Sequence, residues 1–291
     1  MVRISSETLH DRVLSVDEVS TLPISLARIL EVTSDRSSTA LDLAAEIAKD
    51  PALTMKVLRT VNSAFFGFRR RIQTVSDAVI LLGFTEVERL ALAISVINLF
   101  GGERERARSL SQLWRHSLAA SMAASILVEE YKHEIEETGS AHVAALLHDI
   151  GKAILGQAVP EAVHEIERLL EAGECRPFEA EMEVLDGVSH CEVGAWVAEG
   201  WSLPVGLVES LMLHHRPDEA PKGHVLVHIT HLADALCHEL DIPSVRVPGK
   251  SPTASPESYA LLAMDDSIVK QIDNRLQKQR GVIGAVAAHA V

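Results

Sequence analysis

Cysteine is scarce in this chain. The 291 residues include three, Cys175, Cys191 and Cys237. Their odd number and the lack of a CxxC pair exclude a disulfide framework and fit a reducing cytoplasm. Long apolar runs are missing too. Nothing approaches the roughly 18 consecutive apolar residues of a membrane span, and the polar start, residues 1–11, lacks the apolar stretch of a secretion signal. Basic charge is in deficit. Against 41 Asp and Glu stand 27 Lys and Arg, a net charge of -14. That sign argues against sequence-independent binding to nucleic acid or to an anionic membrane. Period-2 alternation, the mark of strands, is also missing. The chain is 47% hydrophobic, which suffices for a sizeable core in one large or two ordinary domains.

Helix signals fill the space that strands leave. Thr39 with Asp42, Thr74 with Asp77, and Thr85 with Glu88 read as capping boxes. Asp50-Pro51 ends one helix and starts the next, because Asp caps well and Pro loses no hydrogen bond at the first helical position. Gly83 and Gly101-Gly102 read as helix stops. Further helices are expected over 24–33, 109–131 with His116, 160–173, 177–185, 188–200 with His190, 204–214 and 224–240. Residues 1–20 read as a lead-in. The proline-rich stretch 241–257 reads as an exposed linker, followed by a helical tail that ends in a loosely held apolar segment. The expectation is an all-α protein with three parts: an N-terminal helical subdomain (1–105) packed on a second helical bundle (106–240), then the linker and tail (241–291).

The segment 141–152 carries His148-Asp149 at the end of an apolar helix. A buried His-Asp pair is costly unless a cation neutralises and ligates it. His116, His190, His214, His215 and Asp234 also stand in apolar helices or at their ends. Together these seven form a His/carboxylate set suited to a divalent transition metal: Fe, Mn, Zn, Co or Ni. Two such ions are the usual device for activating water against phosphorus. Lys152, one turn after His148, is placed to steady a phosphate. His224, His228, His231 and His238 read as surface or supporting groups. His10, His133, His142, His164 and His289 carry no partner signal. Cys191, beside His190, reads as incidental. The helix pair 41–63 has a helix-turn-helix outline, but its acidic flanks favour plain packing. Phe65, Phe66 and Phe68, with Arg69, Arg70 and Arg71, read as a solvated loop or a docking patch for a partner.

Several blocks together resemble one family. They are Leu22-Pro23, Asp50-Pro51-Ala52-Leu53, Asn62-Ser63-Ala64, the helix ending Leu82-Gly83, and Leu146-Leu147-His148-Asp149-Ile150-Gly151-Lys152. Over about residues 15–240 they are similar to the HDOD family, the HD-related output domains of bacterial signalling proteins. The resemblance implies an HD-type helical bundle and a regulatory role with a partner protein. In the wider HD superfamily it implies metal-dependent phosphohydrolase chemistry. Many HDOD proteins have lost the metal ligands. Here His116, His148, Asp149 and Asp234 match the superfamily's ligand positions, while His190, Gly194, Lys152 and the His214-His215 pair resemble the HD-GYP phosphodiesterases. Arg216-Pro217-Asp218 replaces the Gly-Tyr-Pro signature, which argues against cyclic-di-GMP hydrolysis. Gln112 stands where some relatives place a metal-binding Glu, which argues against a third ion.

Two functions follow as expectations. One is a cytoplasmic signalling module with a retained metal site, working with another signalling protein or a small phosphorylated ligand and receiving its input from a second chain. The other is an active phosphohydrolase or phosphodiesterase using two divalent ions. In it Asp149 bridges, His116, His148 and Asp234 serve one ion, His190 with His214 or His215 serves the other, and Lys152 holds the phosphate.

Overall fold

Capping chemistry explains where most helices of the first half begin. In the computed structural model, which describes residues 2–16, 21–35, 37–64, 66–100, 104–130, 140–173, 175–221, 224–245 and 254–288, Ser5 accepts a hydrogen bond from the Thr8 N–H at the head of α1 (Ser6–Leu14). α2 spans Ile24–Ser34. Thr39 and Asp42 form the expected reciprocal box on α3 (Ala40–Ala48). Asp50 accepts from the Ala52 and Leu53 amides to start α4 (Pro51–Val61). Thr74 caps α5 (Val75–Leu82), which stops at Gly83, whose φ of 90° suits only glycine.

α6 (Phe84–Leu99) departs from expectation. Thr85 and Glu88 form no box, and Gly83 itself is the cap. Glu88 is buried and accepts a hydrogen bond from His142 Nε2 at 2.9 Å. A carboxylate drawn into the core by a distant histidine is not available to cap its own helix.

The second half continues with α7 (Arg104–Glu130), α8 (Ala141–Leu147), α9 (Ile150–Ala158), α10 (Pro160–Glu171), α11 (Pro177–Val184), α12 (His190–Gly200), α13 (Val205–Leu213), α14 (Val225–Glu239), α15 (Pro256–Leu261) and α16 (Asp266–Ala288). No strand occurs among the described residues, so the fold is all-α as expected. None of these helices is long and apolar enough to cross a membrane.

Two groups of helices share one continuous core. In the first, α2 packs on α3 and α6, α3 on α5, and α4 on α6. Leu26, Ile29, Leu43, Ile47 and Leu53 are buried there. In the second, α7 lies along α8 and α14, α12 packs on α9 and α13, and α13 on α14. Leu118, Leu147 and Ile154 fill that interior. Each such side chain contributes roughly 1.5–3 kcal/mol by leaving water. α6 joins the groups through α7 and α8.

Three segments sit differently from the sequence expectation. The lead-in contains α1, which packs on α9 and α12, while the Ile4 N–H donates to Val184 O at 3.0 Å. Only Leu9 and Val13 of α1 are buried, a pattern too sparse to stand out. The described ends of the proline-rich stretch are not exposed linker: Ile242, Ser244 and Ser255 are buried. The tail is held, too. Val282, Ile283, Val286 and Ala287 are buried, and α16 packs along α7. Phe65 and Gly101-Gly102 lie outside the described residues. Phe66 and Phe68 are half-buried and stack at 6.1 Å, whereas Arg69, Arg70 and Arg71 are exposed.

Candidate metal centre

The seven predicted side chains come from five places in the chain and meet in one interior. His116 lies within α7, and the packing of α7 on α8 and α14 brings it to His148 and Asp234. His148 and Asp149 occupy the break between α8 and α9. His190 is the first residue of α12, held by a Ser189–Glu192 capping box. His214 follows the last residue of α13, and Asp234 is buried within α14. α9 and α12 approach so closely at Gly151 that a Cβ there would lie 1.9 Å from the His190 carbonyl oxygen. Glycine at 151 is therefore what lets His190 stand opposite Asp149.

Two clusters result, with one carboxylate between them. In the first, His116 Nε2 lies 3.1 Å from His148 Nε2 and 3.1 Å from Asp234 Oδ1, and His148 Nε2 lies 3.7 Å from the same oxygen. In the second, His190 Nε2 and His214 Nε2 are 3.3 Å apart. Asp149 faces both. Its Oδ2 is 3.6 Å from His148 Nε2 and 3.8 Å from His116 Nε2, and its Oδ1 is 3.1 Å from His190 Nε2 and 3.8 Å from His214 Nε2. His215 stands at the edge with Nδ1 3.7 Å from Asp234 Oδ2. Lys152 Nζ reaches Asp149 at 2.8 Å and Ser244 Oγ at 3.0 Å.

The outer nitrogens decide what the inner ones offer. A carbonyl only accepts, so a ring nitrogen bonded to one carries the proton. His116 Nδ1 donates to Ile242 O at 2.7 Å, His148 Nδ1 to Ala145 O at 2.7 Å, and His214 Nδ1 to Leu211 O at 2.8 Å. His190 Nδ1 donates to Glu181 Oε2 at 2.6 Å. Four Nε2 atoms thus turn inward with lone pairs when the rings are neutral. Burial pushes His116 and His214 below the ordinary histidine value, and His215 down to about 3. Although burial opposes its charge, Lys152 beside it holds the Asp149 carboxyl well below the usual range.

This donor set fits a divalent cation. Asp149 Oδ1 and Asp234 Oδ2 are buried and accept no hydrogen bond of proper geometry. Carboxylates and imidazole lone pairs aimed at a common interior repel unless positive charge lies between them. Outward hydrogen bonds on Nδ1 are the usual support of metal-ligating histidine.

Three further groups belong here that were not among the seven. His238 Nε2 lies 3.4 Å from Asp234 Oδ1, one turn along α14; that i,i+4 spacing was its signal. Glu181 orients His190, yet in the chain it is one acidic residue among several. Cys191 Sγ lies 3.6 Å from His190 Nε2. His142, set aside for want of a partner, pairs with Glu88 away from the cluster.

The HDOD domain model matches residues 19–217. The chain belongs to the HDOD family. A curated relative, an uncharacterized protein of Treponema pallidum (strain Nichols), is 25% identical over 209 residues, covering 72% of this chain and 40% of that protein. The HDOD chain described here therefore spans about two fifths of that relative's length. Among solved structures, an HDOD domain protein with unknown function from Geobacter sulfurreducens shares 24% identity at a TM-score of 0.76, with 98% of both chains covered. A candidate phosphohydrolase from Shewanella amazonensis shares 22% at 0.69, again over 98% of both. A candidate signal transduction protein from Marinobacter aquaeolei shares 21% at 0.77, over 98% of this chain and 65% of that one. At these identities the likeness is one of fold.

Proposed function

We propose that this HDOD protein binds two divalent transition-metal ions and hydrolyses a phosphoester. One observation carries the reading: the two oxygens of Asp149 face different clusters, His116–His148–Asp234 on one side and His190–His214 on the other. A single-ion site has no use for that arrangement. Two ions held there supply a water of lowered pKa and offset charge that develops on phosphorus.

The chain's own residues supply the rest. Asp149 spans both positions. Lys152 spends two donors on Asp149 and Ser244, which leaves a third N–H for a phosphate oxygen. His215 and Lys152 are the partly exposed members of the cluster, with side chains 17% and 16% accessible, so substrate enters along that edge. Phe178 packs edge-on against His215 there, at 5.6 Å.

A second reading is a metal-stabilised regulator in a cytoplasmic signalling system, acting through a partner protein or a small phosphorylated ligand. It is favoured by the depth of the site. His116, His148, Asp149, His214 and Asp234 are nearly inaccessible, and the segment at Ile242–Ser244 bonds to His116 and Lys152 across it. The exposed Arg70 and the half-buried Phe66 are where a partner would dock.

Metal analysis of the purified protein, followed by turnover assays on phosphomonoesters, phosphodiesters and cyclic nucleotides, separates the readings. Two ions per chain with turnover is the expected result. Two ions without turnover would leave the regulator. Less than one ion per chain, unchanged in Asp149→Ala, would remove the metal centre altogether.

A further inference from the structure

Cys191 is fully buried as the second residue of α12, and its sulfur points inward. Sγ lies 3.6 Å from His190 Nε2 and 3.8 Å from His214 Nε2, and those two nitrogens are 3.3 Å apart. His190, Cys191, His214 and His215 each bring a ligand atom within 4.8 Å of the others.

These spacings have a simple reading. For a tetrahedral ion with metal–nitrogen bonds of about 2.0–2.1 Å and a metal–sulfur bond of about 2.3 Å, two nitrogens stand about 3.3–3.4 Å apart. By the same bond lengths a nitrogen and the sulfur stand about 3.6 Å apart. The three observed edges lie within about 0.2 Å of those values. The fourth donor lies on the same side: Asp149 Oδ1, buried and 2.8 Å from Lys152 Nζ, is 3.1 Å from His190 Nε2.

We propose that Cys191 is a ligand of the second ion, so that His190, His214, Cys191 and Asp149 make an N/N/S/O site next to the sulfur-free His116–His148–Asp234 site. The inference rests on the metal-centre reading above and adds the identity of one ligand and its consequence. On binding, the thiol proton leaves to solvent and the sulfur binds as thiolate. A thiolate selects zinc, iron or cobalt over manganese or magnesium, whereas the first site, with imidazole and carboxylate alone, is less selective. The two halves of the centre would then differ in metal preference. Cys237, three residues beyond Asp234, is buried and is not among the ligand atoms gathered with His190 and His214, so it serves as the internal control.

The test uses the whole chain, stripped with chelator and titrated with cobalt(II). Cobalt bound to a thiolate gives an intense near-ultraviolet charge-transfer band, while cobalt bound only to imidazole and carboxylate does not. The band is expected in the wild type and in Cys237→Ser and is expected to vanish in Cys191→Ser. Zinc affinity at one of the two sites should fall in Cys191→Ser by about 10–100-fold or more, with circular dichroism unchanged. Two cobalt ions bound without the band would overturn the Cys191 assignment and leave the histidine–aspartate centre standing. That result would mean that the sulfur stays a thiol outside the shell of the second ion. A band that persists in Cys191→Ser would also overturn it. No cobalt bound at all would overturn both readings together.

Discussion

Glu181 holds His190 at two points. Its Oε2 accepts from the ring Nδ1 at 2.6 Å and from the backbone N–H of the same residue at 2.8 Å. Ring tautomer and ring direction are therefore set by one carboxylate. Glu181→Ala should weaken the ion at the His190–His214 side by about 10–100-fold and leave the His116–His148–Asp234 side little changed. Calorimetric titration of stripped protein resolves the two. Equal affinities in variant and wild type would mean that Glu181 plays no part in ligation.

Asp149 touches both clusters, so its loss should be felt at both. An ion present at about 100 times its dissociation constant stabilises the folded state by about 2.7 kcal/mol. Thermal melts with and without zinc or manganese should show a metal-dependent rise in the wild type that is mostly gone in Asp149→Asn. The same rise in both proteins would exclude Asp149 as a ligand.

Two glycines of α9 should respond in opposite ways to the same change. At Gly151 a methyl group would lie 1.9 Å from the His190 carbonyl oxygen, whereas at Gly156 nothing lies within 4 Å. Gly151→Ala must push α9 and α12 apart and should cost about 1–3 kcal/mol or more. Gly156→Ala should be neutral or stabilising by up to about 1 kcal/mol. Urea unfolding of the pair measures both. Equal midpoints would refute the close approach.

The docking of α15 should weaken in mild acid. His228 Nδ1 meets Ser258 Oγ at 2.9 Å. Burial holds His228 below its ordinary value of 6.5; His231 adds to this, while Glu257 and Asp218 oppose it. The docked state therefore prefers the neutral ring. Its contribution is complete above about pH 6.5 and declines as the pH falls through that value toward the lower, docked-state one. Amide exchange over 258–262, corrected for intrinsic rates, should be faster at about pH 5.5 than at about pH 7.5. In His228→Gln that difference should disappear.

Local chemistry was readable from the chain; partnership across the fold was not. Thr39–Asp42 and Asp50-Pro51 act within one turn, so neighbouring residues suffice to place those helix starts. Thr85–Glu88 has the same spacing but fails, because His142, 54 residues on, takes the carboxylate. The seven His and Asp side chains were singled out because buried charge in apolar helices demands compensation, and the family resemblance supplied their grouping. Glu181 was invisible for the opposite reason. On an acidic helix nothing marks one glutamate as buried until the α11–α12 turn places it under His190. The prolines of 241–257 spoke for a loop and said nothing about Ile242 and Ser244 turning inward onto His116 and Lys152.

The elbow between α8 and α9 is a single peptide link. His148 on one side of it faces the first cluster, and Asp149 on the other side reaches both. A tilt of α9 would thus change both halves of the centre at once and neither alone. α9 is nine residues long and carries α1 against it. α1 therefore packs on the same short helix whose first turn follows the carboxylate shared by the two halves.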